Sequence, residues 1–105
     1  MAKYVMVVQS RAKAGRDDEY NHWYDSTHFG DICALPGVKS GRRFDAVSAP
    51  IGTPGLPYLA IYEIETDDPN KVLAEMGRRR AAGGIETSDA LDADSAVLWI
   101  YKDRS

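Results

Sequence analysis

Residues 20–44 read YNHWYDSTHFGDICALPGVKSGRRF, and this stretch holds most of the side chains able to move a proton, stack on a flat molecule or grip an anion. On a helix, Tyr20, Tyr24 and His28 follow at four-residue steps with Trp23 and Thr27 beside them, so one face carries aromatic rings and ends in an imidazole. An imidazole beside an apolar space can be tuned near neutral pH to act as a general acid or base. Tyr24 and Trp23 could hold a flat substrate by stacking or donate a hydrogen bond to an enolate or phenolate oxygen. The plain alternative has His28 capping its own helix and the aromatics packing the core with their polar tips satisfied.

Positioning these groups requires a helix that starts and stops in the right places. Asp17, Asp18 and Glu19 put negative charge in its first turn, complementing the helix dipole. The turn count fails at Phe29 and Gly30 follows, so the helix is expected to end near His28 or Phe29, with one further turn through Asp31, Ile32 and Leu35 before Pro36-Gly37. His28 at a helix C-terminus would favour the cation, whereas burial among aromatics would favour the neutral ring. Asp25 or Asp31, three residues to either side, could orient it.

Residues 38–47 alternate Val38, Ser40, Arg42, Phe44 and Ala46 against Lys39, Gly41, Arg43 and Asp45. With Phe44 inward, Arg42 also turns inward, where a guanidinium needs a carboxylate partner or an anionic ligand. Arg42 is accordingly a candidate anchor for a substrate carboxylate, or one half of an ion pair with Asp25, Asp31 or Glu63.

Upstream, residues 3–9 are valine-rich and read as a buried strand, and 10–15 as a short loop. Downstream, 48–57 hold three prolines and two glycines and read as a long hairpin loop able to cover a pocket mouth. Residues 58–65 form a strand apolar on both faces at its start. Asp68-Pro69 caps a second helix with Val72, Leu73 and Met76 as its buried stripe and Gly83-Gly84 as its stop. An acidic loop, 86–94, leads to a last strand, 95–102, with Val97, Trp99 and Tyr101 opposite Ala96, Leu98 and Ile100. The order is strand, helix, strand, strand, helix, strand: an α+β, ferredoxin-like βαββαβ arrangement, with two helices on one face of a four-stranded antiparallel sheet. Apolar residues on its other face imply a cover, most economically a second copy of the chain.

A chain of 105 residues with 44% hydrophobic content supports one core, so a single domain over 1–105 is expected. The net charge of -3 and scattered cations leave no basic footprint for nucleic acid. The lone Cys33 excludes an internal disulfide and any CxxC pair, and reads as a small buried apolar group rather than a nucleophile. No signal peptide or membrane span is legible, so a soluble, cytoplasmic protein without membrane partners is expected. His22 falls opposite Tyr20, and two histidines six apart do not face one point, so no metal site is expected. Arg78, Arg79 and Arg80 read as a solvated helix end rather than an anion site. Nothing matches a P-loop, GxGxxG, HExxH or GxSxG pattern.

Asn21, Trp23-Tyr24-Asp25, His28, Pro36-Gly37-Val38, Arg42-Arg43-Phe44 and Tyr62-Glu63 resemble the EthD-type families of the dimeric α/β-barrel superfamily. The resemblance spans nearly the whole chain in element order, and its individual residues concentrate between Asn21 and Phe44. It implies that His28 points into a cavity between sheet and helices. It brings a menu of chemistries that includes cofactor-free monooxygenases, muconolactone isomerases, polyketide cyclases and haem-handling enzymes, without choosing among them. Phe29-Gly30 departs from the Leu and then charged or proline residue common after this histidine.

Together these readings favour an enzyme without cofactors, of isomerase, lyase or cyclase type, acting on a small cyclic or aromatic metabolite. His28 and Tyr24 would be catalytic, and Trp23, Tyr20, Arg42, Phe44 and Tyr62 would bind substrate. The alternatives are a non-catalytic binder or accessory protein for a hydrophobic metabolite, and a haem-linked role with His28 as axial ligand.

Overall fold

The computed structural model describes residues 2–48, 50–52 and 55–104. Strands β1 (Ala2–Ser10), β2 (Val38–Asp45), β3 (Tyr58–Thr66) and β4 (Val97–Lys102) form one antiparallel sheet in the order β2-β3-β1-β4. The expected βαββαβ order and the α+β, ferredoxin-like architecture are both present. Helix α3 (Pro69–Ala81) starts as the sequence indicates: the Asp68 carboxylate accepts from the Asn70 amide at 2.9 Å and Pro69 occupies the first turn. It stops at Gly83, whose φ of +84° suits a residue without Cβ.

The opening helix departs from expectation. It does not end at His28 or Phe29 but runs on, as α1 (Asp17–Trp23), a π-helical turn (Tyr24–His28) and α2 (Phe29–Cys33), with right-handed helical backbone at both junctions. Gly30 has an ordinary negative φ and terminates nothing. A π turn places one extra residue in the helix, which resets the side-chain phase. Phe29, which the α-helical count sends to the far side, thereby comes round to the sheet, with its ring centroid 5.8 Å from that of Tyr62.

Strand β2 brings the second correction. Val38 pairs with Ile64 on the helix-covered face, but an irregularity between Val38 and Ser40 shifts the register by one residue. Beyond it, Gly41 and Arg43 face the helices, while Arg42 and Phe44 lie on the opposite face, the guanidinium 5.0 Å from the Phe44 ring centroid. Unbroken alternation therefore assigned these pairs to the wrong faces. At Gly41 a Cβ would lie 2.8 Å from the Tyr62 ring and 3.0 Å from that of Phe29, so the absent side chain is what lets the helix approach.

Met6, Tyr20, Tyr24, Ile32, Leu35, Tyr62, Ile64, Val72 and Met76 form the core between sheet and helices. On the opposite face, Arg42, Ile61, Val7 and Trp99 lie in one cross-strand row, beside Ser40, Glu63, Val5 and Tyr101 in the next. Trp99 is 60% exposed and stacks on Tyr101. The lid expected over 48–57 falls partly outside the described residues; within it, Ile51 is exposed. No described helix is long and apolar enough to cross a membrane.

Candidate active site

A cavity of about 420 Å³ opens between the sheet and the helices. The sheet contributes Met6, Val8, Ser10 and Tyr62, the first helix contributes Trp23, Tyr24, His28 and Ile32, and α3 contributes Leu73, Met76, Gly77 and Arg80. The α3 set has the three- and four-residue spacing of one helix face. Gly77 leaves a gap in that wall, since nothing lies within 4 Å of where its Cβ would be. A second, larger concavity, near Lys3, Lys39, Glu63 and Lys102, lies at one end of the sheet and includes none of the aromatic cluster.

The π turn decides how His28 meets this space. Its ring stacks on Trp23 at 4.7 Å between centroids and meets that of Tyr24 nearly at right angles at 4.8 Å. Nδ1 is buried without a hydrogen-bond partner, and the residue lines the cavity. Burial is the main reason its pKa falls to about 4; Arg80 and, more weakly, Arg43 push the same way, against Asp31. Burial thus favours the neutral ring, and the helix-end argument for a cation lapses because the helix continues past His28.

Tyr24 and Tyr62 approach with their hydroxyls 3.2 Å apart, and burial raises both pKa values, so both keep their protons at neutral pH. One hydroxyl donates to the other, and the remaining O–H is available to an oxygen of a bound molecule. An uncharged acceptor nitrogen, a spare phenolic donor and apolar walls make an arrangement able to take a proton from carbon while stabilising an enolate.

Arg43 sets these groups in place. Nη1 donates to Asp25 Oδ1 at 2.6 Å, Nη2 donates to Asn21 Oδ1 at 2.9 Å, and the guanidinium lies 4.2 Å from the Tyr24 ring centroid. Asp25 is thus committed to Arg43 rather than to orienting His28. Among the described residues, the buried side-chain nitrogens without partners are Trp23 Nε1, His28 Nδ1 and Arg43 Nε, all in this cluster.

Of the sequence-derived candidates, His28, Tyr24, Trp23 and Tyr62 come together on the cavity. Tyr20 does not line it: its ring is fully buried, stacks on Tyr58 at 4.9 Å and hydrogen-bonds Ser10. Arg42 and Phe44 lie across the sheet from it. Sequence reasoning missed Arg43 as the clamp and Arg80 at the cavity wall. Arg80 was legible as the continuation of the Val72, Met76 stripe at four-residue steps; Arg43 depended on the register shift. Cys33 has its pKa raised by burial, which suits an inert thiol. No described group of three or more His, Cys, Asp or Glu could hold a metal ion.

The neutral state of His28 fixes a pH signature. The unfolded imidazole protonates near pH 6.5, the folded one near pH 4, so between those values the unfolded state binds more protons and stability rises with pH. The contribution is complete above about pH 6.5 and is lost as pH falls to about 4, in total on the order of 3 kcal/mol. Urea midpoints measured across this window should fall steeply with acidification in the wild type and much less in His28→Gln. Equal slopes would assign the dependence to other groups.

No protein-family model matches the chain, and no curated protein matches it significantly. Solved structures do. An ethyl tert-butyl ether D (EthD) family protein from Bacillus halodurans is 15% identical with a TM-score of 0.65, over 98% of this chain and 99% of that one. A dimeric ferredoxin-like protein of unknown function from Thermobifida fusca is 11% identical with a TM-score of 0.64, over 96% and 91%. The haem degrader MhuD of Mycobacterium tuberculosis, with two haems bound in its active site, is 15% identical with a TM-score of 0.68, over 97% and 96%. At these identities the likeness speaks of architecture alone: the chain has the ferredoxin-like fold seen in the EthD family protein and the dimeric ferredoxin-like protein.

Proposed function

We propose that the protein is a homodimeric enzyme that catalyses proton transfer on a small cyclic or aromatic metabolite, with His28 Nε2 as base, the Tyr24–Tyr62 pair as donor to the developing oxyanion, and no cofactor in the step. The supporting observation is that a neutral imidazole and a phenolic pair line one largely apolar cavity. Isomerase, lyase and cyclase reactions share this first event, abstraction of a proton beside a carbonyl. Trp23 would supply a flat wall, and Ile32, Leu73 and Met76 the apolar remainder. Because His28 stays neutral down to about pH 4, the base form would persist through mildly acid conditions.

Deuterium exchange tests this step without the substrate having been identified. A panel of aryl ketones and unsaturated lactones, incubated in D2O and followed by proton NMR, should contain compounds whose α-proton signal disappears only when protein is present. His28→Gln should slow that loss by roughly 10²- to 10⁴-fold while leaving ligand affinity within about tenfold. Compounds that raise the melting temperature but never exchange would select the non-catalytic binding role instead.

The homodimer rests on the apolar sheet face. Trp99, Tyr101, Val7, Ile61 and Phe44 would be covered by the same face of a second copy, a self-complementary arrangement. Light scattering should give a dimer for the wild type and a monomer for Trp99→Lys, whose charge would be buried unpaired at the centre of the contact. A monomeric wild type would refute the assembly.

A second reading is favoured by the haem-bound structure among the similar folds. His28, a neutral imidazole on the cavity wall, is the residue that would hold the iron, and the group would supply redox chemistry there. Haem titration producing a Soret band in the wild type but not in His28→Ala would select this reading over proton transfer.

A further inference from the structure

The three arginines that end α3 are not equivalent. Arg78 makes a two-pronged pair with Glu75, Nε to Oε1 and Nη2 to Oε2 both at 2.7 Å, and Arg79 Nε shares the same carboxylate at 2.8 Å. Glu75 is thereby consumed, and Arg80 has no carboxylate partner among the described residues. Its side chain lines the cavity instead, one turn beyond Met76. No Asp or Glu is among the residues lining that cavity. With His28 uncharged, the space carries one net positive charge, at the end of an otherwise largely apolar wall.

We propose that the molecule this cavity takes is an organic monoacid, its carboxylate on the Arg80 guanidinium and its apolar body against Leu73, Met76 and Ile32. This rests on the reading of the cavity as a ligand site and adds the class of ligand. A guanidinium without a protein anion is a ready bidentate partner for a carboxylate, and an apolar space with one cation favours a monoanion over its neutral analogue. Arg80 is therefore a specificity-determining residue, in the role that unbroken strand alternation gave to Arg42.

The same placement couples binding to basicity. The charged and titratable groups around His28 are Arg80 from α3, Asp31 from α2, Arg43 from β2, and the hydroxyls of Tyr24 and Tyr62. A carboxylate on Arg80 cancels the largest charge opposing protonation of the ring. The imidazole becomes a stronger base when the acid is in place.

Calorimetric titration with 2-naphthoate and its neutral counterpart 2-naphthamide tests the assignment. The wild type should bind the acid roughly tenfold tighter than the amide, and Arg80→Gln should erase that preference while leaving the amide affinity within about twofold. Arg78→Gln, which removes the same charge from the Glu75-paired neighbour, should keep the preference and so controls for net charge. Absence of a preference in the wild type, or its survival in Arg80→Gln, would overturn the role of Arg80 while leaving the cavity a ligand site. Failure of both compounds to bind would overturn the cavity reading and this proposal together.

Discussion

The guanidinium of Arg43 joins the two layers at the point where they matter most. It reaches from β2 to the opening helix, holding Asp25 and Asn21 by hydrogen bonds and the Tyr24 ring by its flat face. A lysine could supply the charge but neither the forked donors nor the plane. Because the clamp spans α1 and the π turn, it fixes the helix in the segment whose phase sets the direction of His28. Its own Nε is buried without a protein partner.

From that clamp follows a division of labour within β2. The register shift near Val38 sends Arg43 and Gly41 toward the helices and Arg42 and Phe44 toward the other face. Gly41 lets Phe29 and Tyr62 close over the strand, while Arg42 and Phe44 stay with the apolar surface around Ile61 and Trp99. One strand thus serves the interior and the exterior with alternate residues, and a single inserted position decides which arginine does which.

Much of this was legible in the chain. The unbroken valine-rich run of the opening strand, the two-faced pattern around Tyr62, the Asp68-Pro69 cap and the Gly83 stop each carried a local signal strong enough to give element order and sheet type. Two single-residue insertions were not legible: the extra residue of the π turn and the one near Val38. Each is a local compromise imposed by packing partners distant in sequence, and each shifts the phase of everything after it. The first hid the continuation of the helix through Cys33, because Gly30 resembles a stop wherever tertiary contacts do not override propensity. The second exchanged Arg42 for Arg43. Arg80 was within reach, since it continues the stripe of Val72 and Met76, but a run of three arginines at a helix end reads as surface.

Gly77 gives the cavity a dimension that can be altered without touching its chemistry. Every other α3 residue on that wall projects a side chain into or along the space, whereas here the wall recedes to bare backbone. Any larger residue would fill volume that a guest could otherwise use, methyl by methyl, at a helical position whose ordinary backbone geometry would tolerate the change. On the proposed function, the length of molecule admitted between the imidazole and the helix would be measured by an omission, and an alanine or a valine at that place would shorten it.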